Sequence, residues 1–297
     1  MTRSRETGDV GYRAYKKNLI INGNMSIWQR GTTFAISASG IYADRWVVGA
    51  DAVFTASVDR VDSKDLDLIT SPYLISSRLI TSAGATHFDH IQKIEDVHTL
   101  SGKTVTLSFV GACSKNLPLE IHIIQDFGDG GSTSVTVSSV GQLFIQSYNK
   151  YEATLDLPSV SGKTIGPNSA LLVYIRVTNP PNDTYVQLSD VQLEEGSSAT
   201  PFEYVSPQQN LAECQRYYQK SEYVVSMHNT TEPATLRRAN IVFPVTMRVI
   251  PITSGTQSGL NNIEGTGQNR GGFTISGIPT SQAVESLITS WIADAEL

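Results

Sequence analysis

Between residues 41 and 195, short runs of alternating apolar and polar residues are separated by turn-forming clusters. No amphipathic helix of useful length intervenes. This pattern constrains the fold more than any other feature, because each run is the signature of a strand with one face buried. In TVTLSFV, Val105, Leu107 and Phe109 fall on one face and Thr104, Thr106 and Ser108 on the other. LEIHII, TSVTVSS, YEATLDL and ALLVYIRVT continue the series, with FGDGG, LPSVSGK and TNPPND between them. Short strands so punctuated predict an all-β chain, an antiparallel β-sandwich of the jelly-roll kind. In YVQLSDVQL the apolar phase shifts between Leu188 and Val191, which predicts a bulge at Ser189-Asp190.

The character changes after Glu195. Small residues and two prolines, Pro201 and Pro207, lead into a predicted helix over 207–220. Ser206 suits its N-cap, Pro207 its first turn and Gln209 the reciprocal capping position. Leu211, Cys214 and Tyr218 form its apolar stripe. Strands are expected to return in SEYVVSM and in ANIVFPVTMRV, where Ile241, Phe243, Val245, Met247 and Val249 would share a face and Pro244 would mark an edge. The glycine-rich polar span from Ser254 to Gly272 reads as an exposed loop. The expected domains are an N-terminal arm, residues 1–17, for attachment to a larger assembly; a jelly roll, 18–200; and a helix with a smaller C-terminal β domain, 201–297. The last is small for an independent core, so it is expected to assemble as a trimer with copies of itself, and receptor binding is its second expected role.

Composition excludes several partners. No apolar run approaches the length of a bilayer span, so no membrane partner is expected. The net charge of -6 and the lack of an aromatic-plus-basic motif argue against nucleic acid. The basic concentration in the arm (Arg3, Arg5, Arg13, Lys16, Lys17) reads as a docking tail. Cys113 and Cys214 lie far apart without a C-x-x-C pair, which predicts neither a disulfide framework nor a zinc site. Met1 is not followed by a secretory core, so folding in a cytoplasm is expected.

Residues that could carry chemistry are sparse. In THFDH, a strand would put His87 and Asp89 on one face and His90 on the other, so one metal could not take all three. His98, His122 and His228 are dispersed, and no serine or cysteine stands in a nucleophile motif. GTGQNRG misses the dinucleotide fingerprint. Glu194-Glu195 and Asp65-Asp67 are paired acids, but nothing sets them across a cleft as a glycosidase would require. No catalytic residue is expected, and Cys214 reads as a small buried hydrophobe. Aromatic side chains remain, since sugars stack their C–H faces on Trp and Tyr: Trp28, Trp46, Tyr73 and Trp291 are the candidate carbohydrate-binding residues. For each, core packing is the competing role.

NLIINGNMSIWQRG, ADRWVV, SGKTVTLSFVGA and LSDVQLEEG together resemble the skeleton of a carbohydrate-binding-module jelly roll. TPFEYVSPQQNLAECQRYYQKS and the terminal WIADAEL resemble a segment recurrent in tail-fibre and receptor-binding proteins of tailed bacteriophages. The resemblance implies a homotrimeric virion protein on the phage tail or capsid surface. It would bind other virion proteins through its arm and recognise a host surface glycan. A capsid-decorating head fibre and a polysaccharide depolymerase are the alternatives. Such jelly rolls often hold a structural calcium between an early acid and an Asp of the last strand. Here Asn24-Met25-Ser26 stands where that acid belongs and Asp190 alone matches, so no cofactor is expected, calcium being the one in question.

Overall fold

A computed structural model describes residues 16–221, 225–227, 237–258, 260–279 and 286–296. The chain divides into two compact units, residues 1–206 and 207–297. Apart from Lys16 and Lys17, the arm lies outside the described residues, as does His228.

The first unit is the expected sandwich of two six-stranded antiparallel sheets. Sheet I contains β1 (Thr33–Ile36), β4 (Phe54–Asp62), β5 (Tyr73–Ser82), β12 (Thr184–Glu195), β7 (Thr104–Cys113) and β10 (Asn149–Asp156), in that spatial order. Sheet II runs β2 (Gly40–Ile41), β3 (Val47–Ala50), β6 (His87–Glu95), β11 (Ala170–Thr178), β8 (Leu117–Asp126) and β9 (Val135–Phe144). Alternate residues of both sheets meet between them. Val105, Leu107 and Phe109 of β7 and Val173, Ile175 and Val177 of β11 belong to one buried cluster. The predicted bulge is present, with the β12–β7 register shifting between Ser189 and Gln192 and Asp190 at φ 51°. The shift keeps Leu188 and Val191 both in the core.

Beyond the bulge, β12 gains a second neighbour from the N-terminal segment. Leu19 N donates to Leu193 O, Val191 N to Gly23 O, and the Asn18 side chain bonds both Val191 and Leu193. Gly23 is required by this approach: a Cβ there would stand 2.1 Å from Val191 O. Within IYADRWVV, β2 and β3 are separated by a tight turn in which Trp46 N donates to Ala43 O and Arg45 takes φ 73°.

The second unit departs further from expectation. Helix α1 covers Pro207–Gln215, shorter than the predicted 207–220. Gln219 Nε2 donates to Gln215 O, and Tyr218 stands in β13 (Tyr218–Ser221) opposite Asp294, so it leaves the helical stripe. Four further strands, β14 (Val225–Met227), β15 (Arg237–Val242), β16 (Ile252–Ser258) and β17 (Leu260–Asn269), precede β18 (Gly272–Pro279) and β19 (Ser286–Asp294). β15 ends at Val242, before Pro244, so the five-residue face proposed across Ile241 to Val249 does not form. Phe243 and Met247 reach the core from turns instead, their amides held by Gly271 O and Arg270 O. The glycine-rich span is likewise not a loop. It forms β16, β17 and a tight turn into β18, where Asn269 Oδ1 accepts from Gly271 N.

Candidate functional site

The aromatic candidates occupy structural positions. Trp46 is fully buried and its Nε1 donates to Asn22 O at 3.0 Å. Trp28 is buried, with Nε1 on Met25 O at 2.7 Å. Trp291 is buried among Phe243 and Phe273, ring centroids 5.5 and 5.8 Å away. None of these indoles presents an open face. Tyr73 is half-buried, and the Arg60 guanidinium covers one ring face at 4.4 Å.

Asp190 accepts from Thr70 N and Thr70 Oγ1, both at 2.7 Å, and from Ser71 Oγ. These bonds pin the segment from Ser63 to Pro72, whose Leu66 and Ile69 pack with Leu74, Val110 and Tyr148 and cover part of the outer face of sheet I. The residues present do not fit a calcium ion. Hydrogen-bond donors surround the carboxylate, whereas calcium needs about six to eight oxygen ligands. Among the described residues no group of three His, Cys, Asp or Glu is placed to hold a metal.

The paired acids separate. Glu194 is buried, bonded by Thr200, Gln192 and Lys17, and Glu195 is exposed beside Lys103. Burial pushes the Glu194 carboxyl up, but those bonds outweigh it and leave it below the ordinary range. Asp65 and Asp67 are exposed. Cys113 and Cys214 are buried and unbridged, and burial raises the Cys113 thiol.

The outer face of sheet II is different, because three adjacent strands place a chemically graded grid on it. Register sets Lys93, Leu172 and Ile124 in one row, Ile91, Tyr174 and His122 in the next, and Asp89, Arg176 and Glu120 in a third. These residues alternate with core residues such as Phe88, Ile94, Val173, Ile175, Ile121 and Ile123, which fixes their outward direction. Val47 stands beside Ile91, and Ser138 beside His122. The half-buried Ile91, Leu172, Ile124 and Tyr174 thus form an apolar patch, with a polar row along its edge.

That row is held rigidly. Arg176 Nε and Nη2 donate to Asp89 Oδ1 and Oδ2, each at 2.8 Å, a bidentate pair. The guanidinium carbon lies 5.5 Å from the Tyr174 ring centre. His122 sits between Glu120 Oε2 at 3.0 Å and Ser138 Oγ at 2.7 Å. His87 stands 3.4 Å from both Asp51 and Asp89. As the strand pattern predicted, His90 points the opposite way, into the core. Ser39 fills the space over Gly49, the register neighbour of Asp89; a Cβ on Gly49 would fall 2.1 Å from Ser39 Oγ.

Electrostatics keep these groups in defined states. Burial, reinforced by the charges of Asp89 and Asp126, raises the Tyr174 phenol, so it remains an O–H donor at neutral pH. Burial pulls the Arg176 guanidinium down, but the bonds and charge of Asp89 outweigh it and hold it above the arginine range. Asp51 is likewise pushed up by burial and brought down to about 2 by Thr86, the His87 amide and the His87 ring.

No family model matches the chain, and no curated protein matches it. Among solved structures, the Stig cyclase Fisc from Fischerella sp. TAU is 10% identical, with a TM-score of 0.42, over 62% of this chain and 99% of that one. TmCBM61 in complex with β-1,4-galactotriose is 13% identical, with a TM-score of 0.36, over 61% of this chain and 100% of that one. The enzymatically active domain of bacteriophage CBA120 tailspike protein 4 is 16% identical, with a TM-score of 0.33, over 60% of this chain and 21% of that one. These are similarities in strand arrangement.

The chemistry of the grid stands on its own residues. An apolar platform beside fixed donors and acceptors matches a ligand with one C–H face and a fringe of hydroxyls. LEIHII and ALLVYIRVT are read correctly as strands from sequence, but only their buried faces are legible there. Tyr174, Arg176, Glu120 and His122 are brought beside Asp89 by pairing across long sequence separations. The signal that could have found them was the alternation of Glu120 and His122 in one strand, and of Tyr174 and Arg176 in the other, with core residues.

Proposed function

We propose that the chain is a non-enzymatic glycan-recognition protein, with the outer face of sheet II as its binding surface. The observation that carries this reading is the juxtaposition of the Tyr174–Leu172–Ile124–Ile91 patch with the row Asp89, Arg176, Glu120 and His122. The side chains sit on strands and are locked by one another, so little ordering cost falls on binding. Tyr174 and the aliphatic groups take the sugar ring. The carboxylate oxygens and the His122 and Tyr174 polar atoms order its hydroxyls. Asp89 is committed to Arg176 and Glu120 to His122, which supports a binding rather than a catalytic use.

The virion setting rests on the sequence resemblance. On that reading the chain is a tail or capsid-surface fibre protein, the arm of residues 1–17 docks on other virion proteins, and three copies assemble through the C-terminal unit. Weak single sites then add up by simultaneous engagement. A glycan array probed with the full chain tests the surface. Bound saccharides should be lost on Tyr174→Ala with the fold intact by circular dichroism. Binding that survives Tyr174→Ala and Arg176→Ala alike would place recognition elsewhere.

A further inference from the structure

The charges around the platform narrow the ligand class, an inference that rests on the saccharide reading above. Register puts Asp89, Glu95, Glu120 and Asp126 on the outer face of sheet II, and Asp51 joins them through His87. The cations nearby are Lys93, Arg176 and Arg45, whose Nη2 is held on Lys93 O at 2.5 Å. The acids therefore outnumber the cations. The fork of Arg176, the group best shaped to clasp an incoming acid, already spends Nε and Nη2 on Asp89.

Neighbouring strands lie about 4.8 Å apart and same-face residues roughly 7 Å apart, so any ligand on the polar row lies within that range of a carboxylate. Repulsion over such a distance survives at low ionic strength. Hydroxyls meet the opposite situation. A carboxylate oxygen has a second lone pair, so the partly exposed Glu120 can accept a sugar O–H without giving up its partner, whereas Asp89 is buried beside Arg176 and His87. An ammonium on an amino sugar would be drawn to the same oxygens. We infer that the platform selects neutral and amino sugars and rejects uronate, sialate, sulfated or phosphorylated saccharides.

The test is calorimetric titration of the full chain with matched pairs, such as galacto-oligosaccharides against oligogalacturonides, in low and high salt. A glycan array covering hexose, amino-sugar and acidic families accompanies it. The neutral partner should bind at least about threefold more tightly, the factor expected for one like charge at this range in water. The gap should narrow in 300 mM salt and in Glu120→Gln and Asp126→Asn, whose folding is checked by melting. Acidic saccharides that bind as tightly as neutral ones, or a gap indifferent to salt and to both substitutions, would overturn the inference while leaving the saccharide reading standing. No binding by any family on the array would remove the saccharide reading itself.

Discussion

His90 and Ser77 meet in the middle of the sandwich, Nε2 against Oγ, with neither side chain reaching solvent. Ser77 Oγ also lies 3.4 Å from Val186 O, so one arrangement satisfies the chain of donors: His90 Nε2–H gives to Ser77, and Ser77 gives to the carbonyl. His90 Nδ1 then keeps a bare lone pair with no protein partner, a smaller cost than an orphaned N–H. The imidazole must be neutral there.

Burial accordingly lowers the His90 pKa to about 3. An unfolded histidine titrates near 6.5, so below that pH the unfolded chain takes up a proton that the fold refuses. Stability from this group is fully present above about 6.5 and declines as pH falls toward 3, by at most on the order of 4–5 kcal/mol. Urea unfolding between pH 7 and 4 should show a steeper loss for the native chain than for His90→Gln, which keeps a hydrogen-bonding group without the titration. Parallel pH profiles for the two would contradict a neutral buried imidazole.

Asn22 offers a second prediction. Its Nδ2 donates to Ile27 O and Asp44 O, its Oδ1 accepts from Ile27 N, and its backbone sits at φ 57°. Asp44 in turn accepts from Gln29 N and Gln29 Nε2. Asn22→Ala strands these groups and places a Cβ residue in the left-handed region without the local bonds that favour Asn there, for a loss of about 2–4 kcal/mol. Each kcal/mol lowers the melting temperature of a unit this size by roughly 2–4 °C. Asn22→Gly should fall less far, because glycine tolerates the backbone. Equal losses for the two would leave the conformational part of the argument without support.

The same residues show what was legible in the sequence. NLIINGNMSIWQRG and ADRWVV stand out because their polar and aromatic residues are unusual for strands. In the fold they buckle onto each other through Asn22, Asp44 and Trp46, so their distinctiveness reports framework rather than ligand contact. Alternation gave the strands and the phase shift gave the bulge, since both are local properties of the chain. The platform was not legible, because Asp89, Arg176 and Glu120 are ordinary outward residues until register sets them side by side. The glycine-rich span misled for a related reason: its composition favours a loop, yet β17 pairs with β18 and supplies the partner the local signal lacks.

Calcium dependence is a third test. Asp190 already holds Thr70 and Ser71, and removing those bonds would release the segment covering sheet I. The melting temperature should therefore be unchanged by chelator, whereas Asp190→Ala should lower it through the lost charge-assisted bonds by about 2–4 kcal/mol of stability. A large drop on chelation that added calcium restores would show that other oxygens complete a site.

The last prediction separates recognition from assembly. Every residue of the platform and the whole of the large buried cluster lie before Ser206, inside the first compact unit. Trp291 lies in the second unit's own small cluster with Phe243, Met247 and Phe273. A fragment ending at Ser206 should fold alone and bind a short oligosaccharide within about twofold of the full chain's per-site affinity, since no contact on the platform has been removed. Trp291→Ala should cost about 3–5 kcal/mol locally and unfold or loosen the second unit without changing that affinity. If the second unit assembles three copies, both changes should weaken attachment to cells far more than they weaken a single site, because only simultaneous engagement is lost. The decisive comparison is monovalent titration beside cell attachment for the same proteins. A folded fragment that fails to bind oligosaccharide the full chain takes up would move recognition out of the jelly roll.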